Sequence, residues 1–196
     1  MLLRHRVIGI AIAAALFAAC SSGSGSSAPT SEKPGTSGGE VSPAGDIPDN
    51  QAFVTYTAPD GSYAVDVPEG WARSGAGSTT TFTDKLNSIE LDTSAAPTTP
   101  TVETATSDVV PALAARPGFR LVGVTTVPRT AGPAVRIAYR ADGSPDPVTG
   151  RRTPAEVERY EFWRDGRQLT ITFSSPVGAD NVDPWKTVTD SVRWLQ

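Results

Sequence analysis

The distribution of aromatic side chains is the feature that most constrains how this chain folds. Of its six Phe, four Tyr and four Trp residues, all except Phe17 lie at Phe53 or later. Large apolar side chains supply most of a hydrophobic core, so the core must form in this later part of the chain. The sequence therefore predicts one folded domain over 53–196, which is long enough to bury a single core.

The first nineteen residues have the pattern of an export signal. Arg4-His5-Arg6 form a basic start, and Val7–Ala19 are apolar or small. This run is shorter than the ~20 apolar residues that a spanning helix needs. It has the length of the apolar region of a signal peptide, ~7–15 residues. We therefore predict that the chain is exported and that it is not held by a transmembrane helix.

The end of this segment, Leu16-Phe17-Ala18-Ala19-Cys20, resembles the lipobox of bacterial lipoproteins, with Phe17 where that family usually has Leu. The resemblance implies that 1–19 is a lipoprotein signal peptide and that Cys20 carries the lipid. It places the protein at the cell membrane, anchored on the extracytoplasmic face. The alternative is that Cys20 is a bystander in an ordinary secretory signal. Cys20 is the only cysteine in the chain, which favours lipidation because an exported lone thiol is unusual.

Residues 20–52 combine the predicted lipidated cysteine with a stretch rich in Ser, Gly, Pro, Thr and Ala that has no aromatic residue. Such a composition predicts a flexible tether, with a span of ~30 Å as a random coil. Loss of Arg4 and Arg6 with the signal would leave 15 Lys and Arg against 21 Asp and Glu, a net charge of -6. That charge predicts a domain repelled by an anionic lipid surface.

Composition argues against several classes of function. The whole chain has a net charge of -4, which argues against a nucleic-acid binder that acts through a basic patch. Its one His and one Cys, His5 and Cys20, both precede the domain. The domain therefore lacks the residues for a Ser-His-Asp or Cys-His mechanism or for a zinc site of those ligands. We predict a protein that is not an enzyme and has no metal and no cofactor.

Apolar periodicity predicts strands separated by two helices. Asp165-Gly166 predicts a tight hairpin turn, and a long loop is expected over Ala141–Ala155. The first helix is expected to begin near Ser107, because Pro111 fits only a first turn. The second is expected to have Asp183 as its N-cap and an apolar stripe of Trp185, Val188, Val192 and Leu195. This order predicts an α+β fold, an antiparallel sheet with helices packed on one face.

Several stretches of the domain resemble actinobacterial exported lipoproteins with a PsbP-like (LpqN-type) domain. The stretches that carry the resemblance are 56–61 (YTAPDG), 67–71 (VPEGW), 145–152 (PDPVTGRR), 178–185 (GADNVDPW) and 190–194 (DSVRW). The resemblance implies a PsbP-like fold and a place in the cell envelope. It also implies binding or assembly rather than catalysis, and it brings no catalytic residues.

Five residues are candidates for contact with a partner or ligand. Arg151 and Arg152 lie in the predicted long loop, and Arg136 and Arg140 alternate along the strand before it. Together with Thr170 and Thr172, the last two could form a polar, cationic sheet face. The alternative for these arginines is ordinary solvated ion pairing. Trp163 follows Phe162, so it is either exposed for a sugar or lipid headgroup or buried under the terminal helix.

The sequence thus predicts a lipid-anchored, non-catalytic binding or assembly module of the bacterial envelope, with a protein partner or lipid ligand and no nucleic acid. A first alternative is a carrier or sensor of an envelope lipid or glycolipid. A second is a carboxylate-dependent cell-wall enzyme, which would require two facing acids ~5–10 Å apart in a cleft.

Overall fold

The computed structural model describes residues 45–145 and 149–195, which form two antiparallel sheets and two helical regions. The strands are β1 Phe53–Thr57, β2 Tyr63–Pro68, β3 Ala72–Ala76, β4 Thr79–Asp84, β5 Asn87–Ala95, β6 Arg120–Val127, β7 Ala134–Pro145, β8 Arg152–Arg164, β9 Arg167–Pro176 and β10 Arg193–Trp194. The helical elements are α1 Val102–Thr104, a π-helical turn Ala105–Val109, α2 Val110–Leu113 and α3 Val182–Asp190. The sheets have the orders β1-β2-β10 and β3-β4-β5-β9-β8-β7-β6. None of the helices in the described ranges is long and apolar enough to cross a membrane.

The hairpin of β8 and β9 forms as its sequence predicts. Asp165 and Gly166 have φ angles of 49° and 83°, the left-handed backbone that a two-residue turn matching strand twist requires. Leu169, Ile171 and Phe173 then alternate with polar residues and are completely buried. The α+β class with an antiparallel sheet is therefore confirmed.

The helical regions, however, lie on opposite faces of the seven-stranded sheet rather than on one. On the face that we call the α3 face, α3 and the small sheet cover a core that includes Phe162 and Phe173. On the other face, α1, the π turn and α2 (together the helical segment) cover Val135, Ile137 and Val157. The reason lies in β8, which has apolar residues on both faces. Tyr160 and Phe162 point to the α3 face, and Ala155 and Val157 point to the other face, so each face needs a cover.

The helical segment begins earlier than expected. Thr101 accepts a hydrogen bond from the Thr104 backbone N–H (3.2 Å) and caps a helix that starts at Val102, not near Ser107. Pro111 is tolerated because the preceding turn is π-helical, with the Val110 N–H bonded to the Ala105 carbonyl. The wider turn accommodates the proline ring that would disrupt a continuous α-helix.

The terminal helix also differs from its prediction. It begins after Asn181 rather than after an Asp183 N-cap, and it ends at Asp190. The chain then forms β10, which pairs with β2. Leu195 lies beyond the helix and is exposed, because the chain is extended where the predicted stripe required another helical turn.

The folded unit extends N-terminally of the predicted border at Phe53. Ile47 is only 5% exposed and belongs to the core on the α3 face. Its backbone N–H donates to Asn181 Oδ1 (2.8 Å), and Asn181 Nδ2 donates to the Gly45 carbonyl (2.9 Å). We call this the Asn181 clasp. The predicted signal peptide 1–19, Cys20 and the tether up to residue 44 lie outside the described residues.

Candidate functional site

The predicted long loop is mostly strand. β7 runs to Pro145 and β8 starts at Arg152, and the two pair through Ala141 and Ala155. The register shifts between Asp142 and Pro145, so the hairpin tolerates residues that are usually found in loops. The expectation of a loop over Ala141–Ala155 was therefore wrong, since pairing with a long partner strand overrides local loop signals.

A pocket of about 700 Å³ opens between this hairpin and the turn that joins β4 to β5. We call it the hairpin cleft. Its basic side chains are Lys85, Arg151 and Arg152. Its apolar lining includes Leu86, Pro145, Pro154 and Pro176. Among the described residues that line it there is no Asp or Glu, so the cleft is cationic on a chain whose net charge is negative.

A smaller groove of about 270 Å³ adjoins the hairpin cleft on the sheet face that carries the helical segment. The two share Ser88, Arg152 and Ser174. The groove also contains Arg116 and two carboxylates, Glu90 and Asp142. The Arg152 guanidinium donates to the Gly143 carbonyl (2.9 Å), which holds this cation between the cleft and the groove. The cation is therefore placed to contact a ligand in either one.

Arg136 and Arg140 lie away from the cleft, on the α3 face, where each pairs with a carboxylate of β8. Arg136 hydrogen-bonds to Glu158, and this bond raises the pKa of the Arg136 guanidinium. Arg140 Nη2 donates to Glu156 Oε1 (2.7 Å). These are the cross-strand ion pairs of the alternative interpretation.

Thr170 and Thr172 do not join these arginines. Thr172 is opposite Arg159 in the β8–β9 register, whereas Arg136 is opposite Tyr160 in the β7–β8 register. Adjacent residues of a strand point to opposite faces, so the threonines lie on the other face of the sheet. The predicted polar, cationic sheet face was therefore wrong.

Trp163 is neither fully exposed nor covered by the terminal helix. It is partly buried on the face opposite α3, and its indole N–H donates to the Ala96 carbonyl (2.9 Å). It lies eleven residues along β8 from Arg152, about 35 Å at the usual strand rise. The five candidates thus occupy three places. Arg151 and Arg152 share the cleft, Arg136 and Arg140 lie in separate ion pairs on the α3 face, and Trp163 lies at the far end of β8.

Sequence reasoning missed Lys85 and Leu86. They form the two-residue turn between β4 and β5, where Lys85 has a φ of 51°. They meet the β7–β8 hairpin only because β5 pairs with β9, which pairs with β8. No local pattern links residues so far apart in the chain. The only local signal for a contact role was the basic Lys85 next to the apolar Leu86 between two predicted strands.

Tyr160 connects the ion pairs of the α3 face to the terminal helix. Its hydroxyl donates to Glu158 Oε2 (2.7 Å), and the Arg129 guanidinium lies 5.3 Å from the centre of its ring. Arg129 Nε also donates to Thr189 Oγ1 of α3 (2.8 Å). The pKa of Tyr160 is raised to about 12. Burial is the largest cause, and the hydrogen bond to Glu158 is the second.

We expect the folded state to lose stability as the pH rises from about 10 to about 12. The pKa of Tyr160 is higher in the folded state than in the unfolded state. The stability that this difference contributes is fully present below the unfolded-state pKa and is lost as the pH rises to the folded-state pKa. Burial raises the pKa of Tyr139 in the same direction. The loss from Tyr160 should be ~2 kcal/mol, measured by urea unfolding across this pH range. Burial also raises the pKa of Tyr63, so Tyr160→Phe should make the profile less steep without removing its slope. An equally steep profile in that variant would assign the effect to other groups.

The fold is that of PsbP-like proteins. The solution structure of the cyanobacterial PsbP (CyanoP) of Synechocystis sp. PCC 6803 is similar at a TM-score of 0.52 and 14% identity, covering 78% of this chain and 99% of that one. The Saccharomyces cerevisiae Ran-binding protein Mog1p is similar at 0.52 and 9% identity, covering 74% and 97%. A Bacteroides thetaiotaomicron protein is similar at a TM-score of 0.49 and 10% identity. The match covers 72% of this chain and 48% of that protein. No family model matches the sequence, and no curated protein sequence matches it significantly.

Proposed function

We propose that this chain is a lipid-anchored, extracytoplasmic binding or assembly module of the bacterial cell envelope and that it is not an enzyme. The observation that carries the binding role is the hairpin cleft, which combines three basic side chains with apolar walls on an acidic protein. Charge of one sign in a concave site attracts ligands of the opposite sign. A binding role is also in keeping with the fold, since the similar Mog1p is described as Ran-binding.

The anchoring part of the proposal rests on the sequence ending in Cys20. Two acyl chains on one cysteine are enough for stable attachment, where a single chain would give only marginal binding. The residues that follow Cys20 would then separate the lipid from the domain, of which Gly45 is the first residue that the structure describes.

We expect Cys20→Ser to release the protein from the membrane fraction of an exporting bacterial host. The serine hydroxyl cannot form the thioether to diacylglycerol, so the main membrane attachment is lost. Fractionation followed by intact mass measurement tests this, with Ser21→Ala as a neighbouring control that should remain membrane-bound and lipid-modified. If the Cys20→Ser protein stays in the membrane fraction, the lipid anchor is not what holds it there.

The second candidate function, a carrier of an envelope lipid or glycolipid, is favoured by the size of the cleft. A volume of about 700 Å³ falls within the ~300–1,000 Å³ typical of small-ligand sites. Native mass spectrometry of the protein purified from its own membrane distinguishes the two candidates. A retained extra mass of lipid size, lost in Arg152→Gln, supports the carrier; a bare protein that photo-crosslinks to one partner from position 151 supports the binding module.

A further inference from the structure

The chain enters the folded unit beside the hairpin cleft. A Cβ atom on Gly45 would come within 2.5 Å of Pro176 Cδ, and Pro176 lines the cleft. Asn181 holds the Gly45 carbonyl and also donates to Asn87 Oδ1 (3.3 Å), and Asn87 lines the cleft as well. The cleft therefore lies at the end of the domain from which the chain leads back to Cys20.

The basic side chains of the cleft are available for contact. Arg151 is exposed, and so is Lys85, whose side chain is 80% accessible. Within the described part of the chain, no carboxylate forms an ion pair with Arg151 or Arg152. By contrast, Arg136, Arg140, Arg159, Arg164, Arg167 and Arg193 all have carboxylate partners. Arg151 and Arg152 can therefore pair with an external anion.

Exposed apolar side chains border the same cleft. Leu86 is 51% exposed and is part of its lining. Val177 is 42% exposed, and its backbone N–H bonds to the carbonyl of Pro154, another lining residue. Basic residues combined with exposed apolar ones are the composition of surfaces that bind at the membrane interface.

Carboxylates also lie near this end, and Glu90 and Asp142 line the groove that adjoins the cleft. Asp84 is 3.8 Å from the Lys85 ammonium and partly neutralises it. Asp46 accepts a bond from the Asp180 N–H (2.9 Å), and Asp183 is in the first turn of α3. Anionic lipid repels Asp46, Asp180 and Asp183. We therefore expect contact on the hairpin side rather than on the α3 side.

We propose that this end of the domain docks onto an anionic phospholipid surface, with Lys85, Arg151 and Arg152 on the lipid phosphates and Leu86 among the headgroups. The inference rests on the proposed lipid anchor, which would bring this end towards the membrane. The net charge of the chain predicts repulsion, but charges within a Debye length of the surface have the largest effect, and the described charged residues that line the cleft itself are basic. Each basic residue near the surface should raise the docked-to-free ratio about fivefold.

The test uses the full-length, export-processed protein reconstituted into vesicles that carry brominated lipid tails, which quench nearby indoles. Leu86→Trp supplies the probe, and Leu121→Trp on the edge strand β6 is the control. Leu121 has similar exposure (43%) and does not line the cleft; it pairs with Tyr139, about 13 Å along β7 from Gly143 of the cleft. We expect Leu86→Trp, but not Leu121→Trp, to be quenched beyond the unsubstituted protein in phosphatidylglycerol-containing vesicles. Pure phosphatidylcholine vesicles should not produce this quenching.

The charge dependence is tested with two paired substitutions, one at the start of β8 and one that flanks the turn between β8 and β9. Arg151→Gln with Arg152→Gln should lower the docked-to-free ratio about 25-fold and abolish most of the quenching. Arg164→Gln with Arg167→Gln removes the same charge at the opposite end and should leave the quenching intact. Equal quenching of both tryptophan probes, or insensitivity to the first pair, overturns the docking proposal. Failure of the parent protein to stay with phosphatidylcholine vesicles would instead count against the lipid anchor.

Discussion

Asn181→Ala should lower the free energy of unfolding by about 3 kcal/mol, because it leaves several buried groups without partners. Asn181 is 2% exposed, and its side-chain amide bonds to the Ile47 N–H, the Gly45 carbonyl and Asn87 Oδ1. Each buried group that loses its only partner costs ~1–3 kcal/mol. Urea unfolding followed by tryptophan fluorescence measures the change.

Asn50→Ala is the matched control, since Asn50 is exposed and makes no contact of this kind. That substitution should change the unfolding free energy by no more than ~0.5 kcal/mol. If Asn181→Ala were equally mild, residues 45–47 would not belong to the cooperative unit. The border of the folded domain would then lie nearer Phe53, where the aromatic residues predict it.

Phe173→Ala should cost about 4 kcal/mol of unfolding free energy, the largest effect that we expect from a single side chain. Phe173 is completely buried in the centre of the large sheet. Its ring stacks on Trp185 of α3 (centroids 5.2 Å apart) and meets Tyr160 edge-on (5.8 Å). The substitution leaves a cavity and removes the contact that joins the terminal helix to the sheet.

Phe173→Leu separates these two effects. It keeps most of the side-chain volume but loses the aromatic contacts, so we expect a cost below ~1.5 kcal/mol. Thermal unfolding of both variants, monitored by near-ultraviolet circular dichroism, would report the packing of Trp185 directly. A cost for Phe173→Ala as small as that for Phe173→Leu would mean that neighbouring side chains collapse into the space.

Local patterns predicted the parts of the fold that local physics determines. The Asp165-Gly166 turn and the alternation of Leu169, Ile171 and Phe173 were confirmed because backbone handedness and the two-residue period of a strand act over a few residues. The sequence predicts a loop over Ala141–Ala155, the outer part of the β7–β8 hairpin, because the Pro and Gly residues of this stretch are typical of loops. Whether this stretch pairs depends on the full length of β7 and β8, because these strands begin and end well outside it.

The candidate site was predicted in part for the same reason. Arg151 and Arg152 are neighbours in the sequence and remain neighbours in the cleft. Lys85 joins them through β5, β9 and β8, an order of strands that no local pattern contains. Trp163 and Arg136 alternate correctly along their strands, but alternation alone does not tell which face of a sheet another element will cover.

The position of the Asn181 clasp determines how the domain bears mechanical load. β1 is an edge strand, and a pull on its start at Phe53 would unzip its bonds to β2 one pair at a time. The clasp lies earlier in the chain, so tension arriving from the N-terminal side first meets Gly45 and Ile47, which are fastened to Asn181 at the start of α3. Force applied to the chain before Gly45 is thereby passed to the start of α3 and the core before it reaches the edge strand β1.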